Sequence, residues 1–387
     1  MHRKEESDDN YQRIMQELRE YQKKDFSFAS GRILGSMCAD PHPIAREAYT
    51  NFLSTNIGDP ELFPGTEQIK ENLLSLIADM LHAPPSATGL IVSGGTEGNI
   101  TAMWLAKQLS EKREIIIPKS AHFSFEKIAS MMDMKLVIAP LDDRYCTDVA
   151  QLKKLIRRET CAVVGIAGST ELGSVDPLPE MSDICYDEHL FFHVDAAFGG
   201  FVLPFLKKNS STIPAFDFRL KGVSTISLDA HKMGYAAIPL GVLMTRERNW
   251  PSEISVESHC ISAQKQAGIL GTRSGGPVAA AYATMRFLGQ EGYTRIIENC
   301  MDLTRYTAKK IQGMGLHLVT EPMLNVIGVK LKHVAEVSDA LTREGWKINR
   351  MVHLSSIRIV LMPQITKQHI DEFLPVLEKC CKEVGEL

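Results

Sequence analysis

Between residues 88 and 244 short apolar runs alternate with longer stretches whose apolar positions recur every three to four residues. The runs are TGLIVS (88–93), EIIIP (114–118), KLVIA (135–139), CAVVGIA (161–167), LFFHV (190–194), STISL (224–228) and IPLGVLM (238–244). Most are rich in β-branched residues, and they predict buried strands. Helical periodicity fills 97–112, 121–133, 148–157 and 179–187 between them. Strands joined through helices favour a mainly parallel sheet covered on both faces, here of seven strands.

The flanks follow other rhythms. Tyr11, Ile14, Met15, Leu18 and Tyr21 recur at helical spacing within residues 5–24. They predict an amphipathic helix that packs on the body of the protein or on a partner subunit. Beyond about residue 290 a helix near 291–313 precedes the strand-like LHLVTEP and NVIGVKL. A helix at 334–344, the run SSIRIVL (355–361) and a last helix at 366–384 follow. The chain is therefore expected to divide into an N-terminal helical segment (1–50), a large α/β domain (51–289) and a smaller α+β domain (290–387). Residues 246–276 form one long irregular segment, and loops of that length are commonly functional.

Composition narrows the class. Of 387 residues, 44% are hydrophobic and 23% charged, which suits a globular protein with a large core. A formal charge of −4 leaves no electrostatic footprint for nucleic acid. The polar start MHRKEESDDNYQ is unlike a signal peptide, and no run approaches a membrane span, so a cytoplasmic protein is expected. Eight scattered cysteines without a C-x-x-C pair read as reduced thiols. His189 and His193 are four apart, but on a strand that spacing is about 13 Å, too far to share a metal. No metal site is expected.

Three features could carry chemistry. There is no P-loop and no G-x-G-x-x-G, yet SGGTEGN (93–99) follows a strand and opens a helix. Glycines there admit a ligand close to the backbone, and a helix N-terminus favours an anion. Asp195, in HVDAAFGG, ends an apolar strand, where ligands bind in open α/β sheets. Lys232, in SLDAHKMG, again lies just past a strand end. Any one of these could be a plain turn, a capping aspartate or a solvated lysine. Together, a phosphate cradle, a carboxylate and a lysine are what pyridoxal phosphate (PLP) requires. The lysine holds its aldehyde as a Schiff base, with burial expected to lower the amine's pKa. The carboxylate keeps the pyridine nitrogen protonated, so that the ring can accept electrons.

The motifs SGGTEGN, AHFS (121–124), GSTELGSVDP (168–177), HVDAAFGG, SLDAHKMG and LGTRSG (270–275) occur in the order found in group II PLP-dependent amino-acid decarboxylases, which the chain resembles. NIGDPELFPGT (56–66) and FLGQEGY (287–293) extend the resemblance over about residues 50–365. It implies the aspartate-aminotransferase-like PLP fold type I. It further implies that Lys232 binds the aldehyde, Asp195 the ring nitrogen, and that His122 stacks on the ring. Thr170 would sit near the phenolic oxygen, and Gly95, Thr96 and His231 at the phosphate. Thr272 would reach the phosphate from a neighbouring subunit, making a homodimer the functional unit. Arg358 would hold the substrate α-carboxylate. The implied reactions are L-aspartate to β-alanine or L-tyrosine to tyramine, steps toward coenzyme A or methanofuran.

One departure matters. Many such decarboxylases carry a loop tyrosine after the lysine, but none occurs here between Tyr235 and Tyr282. His259 and Cys260 stand near that place, and His259 is the expected acid because histidine is the side-chain type that ordinarily exchanges protons closest to neutral pH. Two other readings share the residues: a carbon–carbon lyase of the sphingosine-phosphate lyase type, and a relative that binds PLP without turnover.

Overall fold

The structure, a computed structural model, describes residues 2–206, 214–259 and 265–387. Seven strands form the large sheet: β1 (Thr88–Val92), β2 (Glu114–Pro118), β3 (Lys135–Ala139), β4 (Thr160–Ile166), β5 (Phe191–Asp195), β6 (Val223–Asp229) and β7 (Gly241–Thr245). Their order is β1-β7-β6-β5-β4-β2-β3. Only β7 runs antiparallel to its neighbours, so the other six strands end at one edge. The expected strands are therefore present, mostly shifted by a residue or two at their ends.

The pleat sends alternate side chains into two cores. Ile115 and Ile117 of β2 enter one and Ile116 the other. The first core lies under α4 (Gly95–Gln108) and α5 (Ser124–Met132). The second is covered by α3 (Pro64–Met80), α6 (Val149–Leu155), α7 (Leu178–Asp187) and the start of α8 (Gly275–Gly313). With both faces covered, β4, β5 and β6 are buried throughout, which is why they read as unbroken apolar runs.

Before the sheet lie α1 (His2–Gln22) and α2 (Pro43–Asn51). Neither α2 nor α3 is among the expected elements, and α8 begins at Gly275 rather than near 291. Gly289, with φ 55°, interrupts α8. The irregular segment contains a short hairpin, β8 (Ser255–Glu257) with β9 (Lys265–Ala267).

The C-terminal unit is a four-stranded antiparallel sheet of β10 (His317–Leu318), β11 (Val326–Lys330), β12 (Asn349–Met351) and β13 (Ser356–Val360), ordered β10-β11-β13-β12. Helices α9 (Val334–Arg343) and α10 (Lys367–Glu383) cover it, with Trp346 edge-on to Phe373 between them. N-terminal residues join this unit: Leu34 N–H donates to the Lys347 carbonyl at 2.8 Å, and Val360 N–H to the Leu34 carbonyl at 2.7 Å. The stretch around Gly35 is thereby stitched to the small sheet, beside the ends of the large one.

Candidate active site

At the end of β1 the chain turns through Ser93 and Gly94 into α4. Gly94 offers no side-chain cap, so the first N–H groups of α4 face outward for a ligand. The turn is packed too tightly for side chains. A Cβ on Gly95 would stand 2.9 Å from the Ala197 Cβ, and one on Gly241 2.8 Å from the Gly94 Cα. Gly95, Thr96, His231 and Lys232 all line the same cavity of about 290 Å³.

Lys232 follows the end of β6 by three residues, and its Nζ is 3.1 Å from Asp229 Oδ2. Burial pulls the amine's pKa down, but Asp229 and then Asp195 push it up, and the net direction is upward. This corrects the expectation of a lowered lysine pKa. Desolvation is present, as expected, but two carboxylates outweigh it. Asp229 is 2% exposed, and its second oxygen, Oδ1, has no hydrogen-bond partner among the described residues.

Asp195 ends β5 between Ile166 of β4 and Ser227 of β6. Its Oδ1 accepts the Ala197 N–H at 3.0 Å and its Oδ2 the Asn99 amide at 2.8 Å. Asn99 Oδ1 in turn faces His193 Nε2 at 2.9 Å and the Ser227 hydroxyl at 3.0 Å. A carboxylate can only accept, so the amide nitrogen must point to Asp195, and His193 Nε2 must then be the donor. His193 Nδ1 accepts from Thr225, at 2.8 Å. Burial pushes the His193 pKa down to about 4 against the pull of Asp195, so the ring is neutral near pH 7.

His122, in the turn after β2, accepts the Ser124 N–H on Nδ1 at 3.2 Å, and burial lowers its pKa. His231 Nδ1 lies 2.8 Å from the Leu240 carbonyl. His122, Thr170 and Lys232 line both the first cavity and a second one of about 440 Å³, where Arg358 also stands. Arg358 is 7% exposed and donates to the Thr170 carbonyl and, at 2.7 Å, to the Gly35 carbonyl. Its Nε is buried and has no hydrogen-bond partner among the described residues.

Eight of the expected residues thus meet around two adjoining cavities: Gly95, Thr96, His122, Thr170, Asp195, His231, Lys232 and Arg358. Two do not. Thr272 and His259 are exposed and line neither cavity of their own chain. Cys260 lies outside the described residues. Sequence reading missed Asn99 and Asp229. Asn99 is the last residue of the SGGTEGN motif, and Asp229 stands two residues before His231, but neither position reveals a partner.

The model of the pyridoxal-dependent decarboxylase conserved domain matches residues 6–332. The chain belongs to that family. It is 45% identical to the L-aspartate/L-glutamate decarboxylase of Pyrococcus horikoshii over 95% of this chain and 97% of the relative. Identity is 43% to the probable L-tyrosine/L-aspartate decarboxylase of Methanothermobacter thermautotrophicus, over 91% and 98%. Among solved structures, the sphingosine-1-phosphate lyase of Burkholderia pseudomallei superposes with a TM-score of 0.89 at 26% identity, covering 96% of this chain and 90% of that one. The glutamate decarboxylase of Lactobacillus brevis gives 0.86 at 23% identity, covering 97% and 93%, and shows the shared fold.

The chain is a PLP-dependent decarboxylase of fold type I, and the lyase reading is not favoured against relatives of higher identity. Its site suits the cofactor. The glycine cradle leaves no room for a Cβ, the first N–H groups of α4 have no side-chain cap from Gly94, and a half-buried lysine and a buried carboxylate face one cavity.

Proposed function

We propose that this decarboxylase converts L-aspartate to β-alanine and/or L-tyrosine to tyramine, as a cytoplasmic homodimer. The observation that carries the reading is the meeting of two cavities at Lys232, His122 and Thr170, one bearing Asp195 and the other Arg358. Aspartate is named as a substrate of both the Pyrococcus and the Methanothermobacter relatives, and tyrosine of the latter. The products would serve coenzyme A or methanofuran synthesis.

When bound, PLP supplies an electron sink for the bonding pair released as carbon dioxide leaves. Lys232 is the covalent anchor for its aldehyde. Gly95, Thr96 and His231 hold the phosphate at the N-terminus of α4. Asp195, itself held by Asn99, keeps the ring nitrogen protonated. His122 and Thr170, on the wall of the same cavity, would hold the ring, His122 at its face and Thr170 at its phenolic oxygen. Arg358, on the wall of the second cavity, takes the α-carboxylate.

Thr272 and His259 lie outside their own chain's cavities, so they serve the site across a dimer, His259 as the acid that returns a proton to the α-carbon. Support for the dimer comes from α1, where Tyr11, Ile14, Leu18 and Tyr21 form an apolar stripe at 45–59% exposure. Such a stripe is costly in water and needs a cover. The same reading divides the chain near residue 290, beside the break at Gly289, into a large cofactor-binding domain (51–289) and a small domain (290–387), with residues 1–50 as an N-terminal segment.

The deciding experiment measures carbon dioxide release from L-aspartate, L-tyrosine and L-glutamate by the purified protein with PLP. Release that disappears in Lys232→Ala is the expected result. Absence of release from all three by a protein that has taken up cofactor overturns the reading. A His259→Phe variant with unchanged turnover and cofactor retention removes His259 from the site.

A further inference from the structure

The cavity beside Lys232 carries more positive charge than loss of one carboxylate requires. Its lining includes Lys232, Arg358 and Lys347, and no aspartate or glutamate. Lys232 is engaged with Asp229, and Arg358 lines the cavity as the residue assigned above to the α-carboxylate. Lys347 is left over.

Its backbone is firmly held. The Lys347 carbonyl accepts the N–H groups of Leu34 and Gly35 at 2.8 and 2.9 Å, and its own N–H donates to the Arg32 carbonyl at 2.8 Å. Two residues on, Asn349 pairs across the sheet with Arg358. Residues two apart on an extended chain share a face, so Lys347 and Asn349 point to the same side. The Lys347 amine lies 4.2 Å from the centroid of the Phe26 ring and forms no ion pair among the described residues. A flexible lysine parked on a half-exposed aromatic ring is free to turn toward an anion.

We propose that Lys347 binds the distal carboxylate of a dicarboxylic amino acid and sets the preference for such substrates over aromatic ones, an inference that rests on the decarboxylase reading above. Arg358 and Lys347 would then hold the two ends of one dianion. A carboxylate meets the lysine with a charge-assisted hydrogen bond, which is stronger than the cation–π contact a phenol ring offers. Lys347 acts on substrate binding and not on the bond that breaks.

The test uses the holoenzyme, with Lys347→Met and Lys347→Arg beside the wild type. Steady-state kinetics are measured on L-aspartate and L-tyrosine. Binding of succinate, a dicarboxylate that has no amine to react, is followed by calorimetry. Lys347→Met is expected to raise the aspartate KM and the succinate Kd about 10- to 100-fold, the loss of one charge-assisted contact, with a much smaller change in kcat. Lys347→Arg keeps most of both, and the tyrosine KM does not rise in either variant. A Lys347→Met protein within about 2-fold of wild type for aspartate KM and succinate Kd overturns the proposal. So does a wild type that prefers tyrosine. If wild type releases carbon dioxide from no amino acid, the decarboxylation reading fails separately, and the succinate series still decides the role of Lys347.

Discussion

Lys232 Nζ lies 3.1 Å from Asp229 Oδ2, a half-buried amine against a buried carboxylate at the end of β6. Only a neutral amine attacks an aldehyde, whereas Asp229 and Asp195 hold this one protonated above its ordinary range. Cofactor uptake by the apoprotein should therefore accelerate as pH rises. Asp229→Asn removes the nearest carboxylate, lowers the lysine pKa and should shift the uptake profile to lower pH. Stopped-flow absorbance during PLP addition across a pH series reads this directly. An unshifted profile would show that Asp229 does not govern the amine.

Asn99 satisfies Asp195 and His193 at once, through opposite ends of one amide. Asn99→Ala leaves a buried carboxylate and a buried imidazole each short of a partner. The expected cost is about 2–4 kcal/mol of stability, with weaker PLP binding because Asp195 loses its fixed orientation. Urea denaturation and a PLP titration measure the two effects. Asn99→Asp should be worse for binding, since it sets a second carboxylate against Asp195.

His193 makes stability depend on pH. Its native pKa of about 4 lies below the unfolded value of about 6.5, so the unfolded chain takes up a proton first. The group's contribution is fully present above pH 6.5 and is lost as pH falls through 4. It amounts to roughly 3 kcal/mol at most. Denaturation at pH 7.5 and pH 4.5 should show that part of the decline vanish in His193→Gln.

The stripe on α1 predicts assembly. Leu18→Asp places a charge at its centre and should shift the protein toward monomers in sedimentation velocity. If Thr272 serves the partner's phosphate, PLP affinity should fall in parallel with dissociation. A variant that remains dimeric with unchanged cofactor affinity would assign the stripe another role.

The sequence by itself determined the alternating sheet, the positions of its strands within a few residues, and the motifs at their ends. Strands buried on both faces must be apolar throughout, and turns that admit a ligand must carry glycine. Gly95, Asp195 and Lys232 were legible for that reason. Helices α2, α3 and the first half of α8 were not, because their packing depends on surfaces supplied elsewhere in the chain. Partners were likewise invisible. Asn99 and Asp195 are far apart in sequence, as are Gly35 and Arg358, and only the fold brings them together. The direction of the Lys232 pKa shift was likewise settled in three dimensions. Burial alone would lower it, and the carboxylates that reverse the sign arrive from the ends of two adjacent strands.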